Sequence, residues 1–331
     1  MEKMISVIVC TYNQEKTIAR TLDSILMQQC HVPIEIIIGE DCSTDGTRAV
    51  CKKYAELHPD TIRLIGNDHN KGVQDNYFDC MLTARGEYIG DCAGDDFWTD
   101  PLKLEKEVCI LEQYPEVMLV HTDWNYYNES DGSTRPSGLQ PFSTPIIQGR
   151  KILKAILTQT SRPVVHLCTS LYRKAPVLQA LEEDESLFRN NMYGCEDMQV
   201  AFVLAEQGDI AYLPDVTLYY SHGHDSMSSP DNEKKQYRFK QRTTALCHYM
   251  AQRQHIDIDK FLQLRVFAMG MHAFRLHSTE LRDETLNWEK KWNVVRDGRI
   301  SFLFTIMRYE WLWQLCLVIR NFIVSVKKLF R

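Results

Sequence analysis

Several things are missing from this 331-residue chain, and each absence removes a class of protein. No stretch reaches the ~18 uninterrupted apolar residues that read as a membrane span. The opening "MEKMISVIVCTYN" offers an apolar run of only about seven residues and no small-residue cleavage site, so it does not read as a secretory signal. A cytoplasmic location is expected. Basic charge is not in excess: the formal net charge is −6, which argues against a nucleic-acid partner. The eleven cysteines form no CxxC pair and no zinc-type spacing, and their number is odd. Cys10, Cys80, Cys109 and Cys168 lie in apolar stretches, where a thiol behaves as a small hydrophobe. That usage fits a reducing compartment better than a disulfide framework. Internal repeats and low-complexity tracts are absent too.

What is present alternates between two periodicities. "ISVIVCT" and "IEIIIGE" are continuous runs rich in β-branched residues, the pattern of strands buried on both faces. Ile18, Leu22, Ile25 and Leu26 fall on one helical face between them. "TIRLIG", "EYIGDC" and "VMLVHTD" read as three further strands. The helices between them run through Ala49 to Tyr54, Asp75 to Ala84, and Leu104 to Leu111. Asp100-Pro101 reads as N-cap plus first residue of the last of these. Repeated βα units of this length predict a doubly wound, mostly parallel α/β sheet with helices on both faces. Residues 124–148 read as loops, "VVHLCTSLYR", "IAYLP" and "VTLYYSH" as strands, and Glu196 to Gln207 as a helix. After about Asp231 the pattern is all-helical. The expected division is a domain over 1–230, with halves 1–123 and 124–230, and a helical region over 231–331.

In open parallel sheets, ligands bind beyond the carboxyl ends of the strands. Polar residues gather at those ends: Thr11, Tyr12 and Asn13, then Glu40 and Asp41, then Asn67, Asp68 and Asn70, then Asp95 and Asp96. Each has a plainer reading, Asn13 as a helix cap and Asn70-Lys71-Gly72 as a tight turn. Their coincidence on one rim favours a site. The segment after the first strand, "CTYNQE", lacks the glycines of a dinucleotide fingerprint, and there is no P-loop. A nucleotide held here would need side chains for its base and a cation for its diphosphate. Asp95 and Asp96 suit that cation, since hard oxygens favour Mg²⁺ or Mn²⁺.

"SVIVCTYNQEKTIARTLDSILMQ", "IEIIIGEDCSTDGT", "NKGVQDNY", "ARGEYIGDCAGDDFWTDPLKLEKEV" and "GCEDMQVAFVLAEQGDIAYLPDVTLYYSHGHDSMS" together resemble family 2 glycosyltransferases of the bacterial surface-polysaccharide type, from about Ser6 to Ser228. The resemblance implies a GT-A fold, a nucleotide-sugar donor and inversion at the anomeric carbon. It assigns Thr11, Tyr12, Asn13, Glu15, Asp41, Asn70, Asn76 and Asp95 to the nucleotide, with Asp41 meeting the base. It assigns Asp96, with Asp95 and His222, to Mn²⁺ or Mg²⁺, and Asp197 to the general base, with Glu196 as second choice. His224 fits the spacing less well than His222. UDP is the first carrier implied, with GDP and dTDP open.

Three positions depart from the family pattern: Ala93 where many relatives have an acid, Cys42 where glycine is common, and Glu40 where aspartate is common. Asp91 has no role that the resemblance assigns. The acceptor expected is a hydroxyl of a glycan or a lipid-linked glycan. The alternatives are a non-catalytic relative that binds sugar nucleotide or glycan, and a sugar-nucleotide nucleotidyltransferase. Near the C-terminus, seven basic and two acidic residues occupy 296–331. Leu312, Leu315, Ile319, Ile323, Val326 and Phe330 recur there at helical spacing, with Trp311 and Trp313 close by. A helix of this composition is expected to lie peripherally on an anionic membrane surface. Packing on protein and a homo-oligomer stay open.

Overall fold

The computed structural model describes residues 2–138, 144–159, 165–190, 192–222 and 232–329. The chain divides into two compact units, Met1–Asn191 with Cys195–His224, and Met192–Gly194 with Asp225–Arg331.

The first unit is built on one ten-stranded sheet. Its strands are β1 (Glu2–Thr11), β2 (Ile34–Glu40), β3 (Ile62–Gly66), β4 (Gly86–Asp91), β5 (Phe97–Trp98), β6 (Val117–Asn128), β7 (Thr134–Pro136), β8 (Ile146–Gln148), β9 (Ser170–Arg173) and β10 (Asp209–His222). The helices are α1 (Ile18–Leu26), α2 (Thr47–Leu57), α3 (Val73–Thr83), α4 (Lys103–Gln113), α5 (Leu153–Thr158), α6 (Lys174–Glu183), α7 (Glu185–Phe188) and α8 (Asp197–Gln207). Along the sheet the order is β3-β2-β1-β4-β9-β6-β10-β5, with β7 on β6 and β8 on β10. Strands β3, β2, β1 and β4 are parallel, as their unbroken apolar runs require: Ile5, Val7, Ile8 and Val9 of β1 are completely buried, and Val7 pairs with Ile36.

Beyond β4 the sheet becomes mixed. β6 does not lie beside β4, because β9 runs antiparallel between them, with Leu171 opposite both Gly90 and Val120. Of the stretch expected as strand from Val164, which itself lies outside the described residues, Ser170–Arg173 is strand, preceded by a 3₁₀ turn at Leu167–Thr169. "IAYLP" and "VTLYYSH" are instead one strand, β10, whose register shifts between Leu213 and Leu218. Much of 124–148, expected as loops, is extended in β6, β7 and β8. α4 begins at Lys103 rather than Pro101, because the Asp100 carboxylate accepts from Leu102 N (2.9 Å) and a turn precedes the helix.

Two features of this topology prepare the site. The chain leaves β4 in the middle of the sheet and reappears as β5 on its far edge, where Phe97 pairs with Tyr219 and Trp98 with Leu218. The loop Cys92–Asp96 is thereby stretched across the carboxyl ends of the strands and pinned at both sides. At Gly94 this loop passes so close to β1 that a Cβ would lie 2.8 Å from Thr11 Oγ1 and closer still to Gln14 Oε1.

Among the described residues, the second unit has five helices: α9 (Glu233–Arg253), α10 (Asp259–Arg275), α11 (Thr279–Lys291), α12 (Gly298–Arg308) and α13 (Glu310–Leu329). Asn232, Ser278 and Asp297 cap three of them with side-chain oxygens. Their shared core contains Tyr237, Leu246, Met250, Val266 and Met269. Trp313 is fully buried there, and its indole N–H donates to Phe274 O at 3.0 Å. Trp313 is therefore an anchor of α13 and not part of an outward stripe.

Candidate active site

The first stretch of the rim lies beyond β1 to β3. Asn13 adopts φ 55°, a left-handed conformation that asparagine tolerates, and the turn brings it against the Ser43–Thr47 loop. Its Oδ1 accepts from Thr44 N (2.8 Å), and its N–H donates to Ser43 Oγ (3.0 Å). Gln14 N donates to Thr47 Oγ1 (2.7 Å), Gly46 N to Glu15 Oε2 (2.7 Å), and Thr11 Oγ1 to Gln14 Oε1 (2.8 Å). Tyr12 alone of Tyr12–Glu15 is a large apolar side chain left exposed.

Asp41 is buried, and its carboxylate accepts from Lys71 N (2.8 Å), Gly72 N (2.9 Å) and Asn67 Nδ2 (2.9 Å). It thus answers N–H groups leading into α3. Oδ2 accepts from Gly72 N and has room for another donor. Asn70 Nδ2 donates to Asp41 O at 3.3 Å. Asn76 sits one layer back: it is buried, donates to Gly39 O (2.8 Å) and accepts from Asn67 Nδ2 (3.0 Å). Its amide is turned to protein, so it acts on the rim through Asn67 and Asp41. Glu40 is buried as well, yet Ser43 and Arg48 hold its carboxyl below the ordinary range despite that burial.

The acid loop is different. Asp96 is buried, its Oδ1 accepts from Ser221 N (2.9 Å), and its Oδ2 is buried without a hydrogen-bond partner among the described residues. Burial first, then the charge of Asp95, pushes its carboxyl well above the usual range. An enclosed carboxylate oxygen beside a second acid is what a hard divalent ion completes, so the pair fits Mg²⁺ or Mn²⁺. The strand end meets Asp96 through Ser221. Alternation then puts His222 on the other face of β10, with Tyr126, whose ring lies 6.1 Å away. His224 lies outside the described residues. Cys30, His31 and Glu105 also bring ligand-type atoms within 4.8 Å of one another. They lie before β2 and on α4, at the amino ends of the strands, where His31 and Glu105 pair at 2.8 Å.

Glu196 and Asp197 open α8, with Asp197 Oδ1 accepting from Met198 N at 2.7 Å. Both are half-buried: crowded by protein, yet reached by solvent. Burial, then Asp197, then Asp91 push the Glu196 carboxyl well above the usual range. Asp91, buried at the end of β4, is pushed up to about 7 by burial and then by Asp197. Tyr77 and the Cys168 thiol, the latter 3.9 Å away, offset part of that rise. His166, which the sequence did not single out, stands near Asp197 with its pKa lowered to about 4 by burial. Trp124 and Tyr220 each pack against its ring at 5.0 Å. The arrangement joins the acid pair Asp95-Asp96 to a cluster of carboxyls in which those of Asp91 and Glu196 are pushed upward.

Residues 6–179 match Glycosyl transferase family 2. The chain belongs to that family. An uncharacterized protein of Mycobacterium tuberculosis is 30% identical over 233 residues, 70% of this chain and 63% of the relative. The match therefore spans less than two thirds of that relative's length. Staphylococcus aureus TarS 1-349, solved in complex with UDP-GlcNAc, superposes with a TM-score of 0.62 at 20% identity, covering 91% of this chain and 83% of that one. The mannosyltransferase PcManGT of Pyrobaculum calidifontis, solved with GDP-Man and Mn²⁺, gives 0.54 at 17% identity, covering 96% and 88%. At these identities the two structures establish the GT-A fold and nothing finer. Thr11–Glu15, Asp41, Asp95-Asp96 and Glu196-Asp197 are the positions that the sequence resemblance marked as expected site residues, and the last two lie beyond the matched stretch. Arg20, Glu129, Ser221 and His166 are not, and no periodicity or spacing in the sequence marks them.

Proposed function

We propose that the protein is an inverting glycosyltransferase, moving a sugar from a nucleoside diphosphate sugar, UDP first, to a hydroxyl of a glycan or lipid-linked acceptor. One observation carries the reading: Asp96 holds a buried carboxylate oxygen that no described residue answers, at the same sheet edge as Asp197. Asp96, with Asp95, would hold Mn²⁺ or Mg²⁺; such an ion offsets the charge that develops on a departing diphosphate. Asp197 takes the proton of the attacking hydroxyl as the new bond forms. Burial and the charge of Asp197 push the carboxyls of Glu196 and Asp91 above the ordinary range, so Asp197 stands beside two acids that are harder to ionise than usual. Thr11 to Glu15 and Asp41 line the nucleotide, with Tyr12 exposed to cover its base.

The test is release of nucleoside diphosphate from a panel of UDP-, GDP- and dTDP-sugars, with Mn²⁺ and with EDTA. Metal-dependent release from one donor supports transfer. Binding of sugar nucleotide without release from any donor favours the non-catalytic alternative.

Peripheral attachment to anionic lipid is part of the same reading. Among the described residues no single helix is long and apolar enough to cross a membrane, although α12 and α13, bent by 111°, pass that test as a pair. Phe302, Trp311, Val318 and Phe322 are each about two-thirds exposed or more, beside Arg299, Arg308 and Arg320. Aromatics inserted at a headgroup layer with arginines reaching anions would cover this surface. Sedimentation with phosphatidylglycerol vesicles should be lost in Val318→Asp/Phe322→Asp while donor hydrolysis persists. Equal sedimentation rejects the attachment, and a salt-insensitive dimer would assign the same face to a second copy.

A further inference from the structure

The acid loop is gripped from behind by side chains to which the transfer chemistry gives no part. Arg20, on α1, lays its guanidinium over the Phe97 ring at 4.1 Å and lies 5.2 Å from that of Tyr127. Nη2 donates to the Asp95 carbonyl (3.2 Å) and to Ser221 Oγ (3.4 Å), and the same fork forms an ion pair with Glu129. Glu129 follows β6, and its N–H donates to His222 O at 3.1 Å. Ser221 Oγ lies 2.7 Å from Asp95 O and 2.8 Å from Glu129 Oε1, while Ser221 N holds Asp96 Oδ1. Thr21, next to Arg20, donates its hydroxyl to Asp96 O at 2.6 Å. Three elements, α1 and the ends of β6 and β10, therefore converge on the backbone of the acid pair.

None of these bonds takes Asp96 Oδ2, the oxygen left without a partner among the described residues. The arginine charge is matched by Glu129, so a cation arriving at the acids does not meet an unpaired positive group. The ion pair is about a third exposed, and such pairs contribute little to stability. Two carboxylates that must meet one ion, by contrast, tolerate little positional error. We propose that Arg20, paired with Glu129, is a positioning residue for the divalent-cation site: it fixes the Asp95 carbonyl and thereby sets the separation of the Asp95 and Asp96 carboxylates. This rests on the metal reading above.

The test uses the full chain and titrates Mn²⁺ in the presence of UDP, following free Mn²⁺ by electron paramagnetic resonance. Arg20→Met keeps a stem to pack on Phe97 and removes the fork. Its apparent Mn²⁺ affinity should fall about 10-fold or more, with the ligand-free melting temperature held. Arg20→Lys keeps the charge but not the planar fork and should weaken Mn²⁺ as well. Wild-type Mn²⁺ affinity in either variant overturns the proposal. So does a loss that only parallels a lower ligand-free melting temperature in both. A wild-type chain that binds no Mn²⁺ with UDP, GDP or dTDP removes the metal reading itself, and the role of Arg20 with it.

Discussion

Two stretches of one sheet edge hold their polar side chains in opposite states. Beyond β1 to β3, the rim groups are answered by protein: Asp41 by two backbone N–H groups and Asn67, Asn13 by Thr44, Glu15 by Gly46. Beyond β4 and at the start of α8, carboxyls crowd one another, and the buried Asp96 Oδ2 has no donor among the described residues. A buried polar group left unsatisfied costs about 1–3 kcal/mol, and more if it is charged. The first stretch is therefore a shaped wall that exists before any ligand arrives. The second is incomplete by itself, and its deficit is what a cation and a reacting hydroxyl would relieve. Satisfied groups give the site its shape, and unsatisfied groups give it its chemistry.

Removing the unanswered oxygen should have the largest effect. Asp96→Ala should lose Mn²⁺-dependent UDP binding and lower transfer by roughly a thousand-fold, because Lewis-acid stabilisation amounts to several kcal/mol. Undiminished Mn²⁺ dependence of UDP binding, read by calorimetry, would remove Asp96 from the metal site. Asp197→Asn should come next, with transfer down by ~10²-fold or more and donor binding kept. Near-normal turnover would move the base to Glu196.

Asp91 supplies a smaller, pH-linked effect in the metal-free protein. Its folded pKa, about 7, lies above its unfolded value, so the folded state binds the extra proton. Stability is then greatest at low pH and falls as pH rises from about 4 to about 7. Asp91→Asn should flatten that decline and melt higher than wild type at pH 8; a parallel profile would contradict the crowding of the three carboxyls. On the satisfied side, Asn76→Ala should do least to chemistry. It frees Asn67 and Gly39 O, costing about 1–3 kcal/mol of stability, while turnover at saturating donor stays close to wild type. A large fall in turnover there would erase the distinction between the two stretches.

Much of this edge was legible beforehand, for reasons tied to particular residues. "ISVIVCT" and "IEIIIGE" can only be strands buried on both faces, so Thr11 and Asp41 had to sit at carboxyl ends. The acids of "GDCAGDD" and "GCEDM" are marked by type and adjacency. Arg20 carries no such mark: on α1 it reads as a solvated charge, and only β6 and β10 returning to the same point give it Glu129 and Ser221 as partners. His166 is equally silent, since Trp124 and Tyr220, which enclose it, are distant in sequence. In the tail the recurring apolar residues were visible. That Trp313 is buried while Trp311 is exposed depends on where Phe274 and His277 stand.

The sequence by itself determined the parallel half of the sheet, the rim and the identity of its acids, because periodicity and residue type are local properties of the chain. The tertiary structure alone decided that β9 runs backwards between β4 and β6, and that β5 crosses to the edge of β10. It also decided that Asp96 meets Ser221 and that the carboxyls of Asp91 and Glu196 are pushed above their ordinary range. Those outcomes depend on which distant groups share a low-dielectric space, and charge interactions there change with burial and separation by more than any local pattern records.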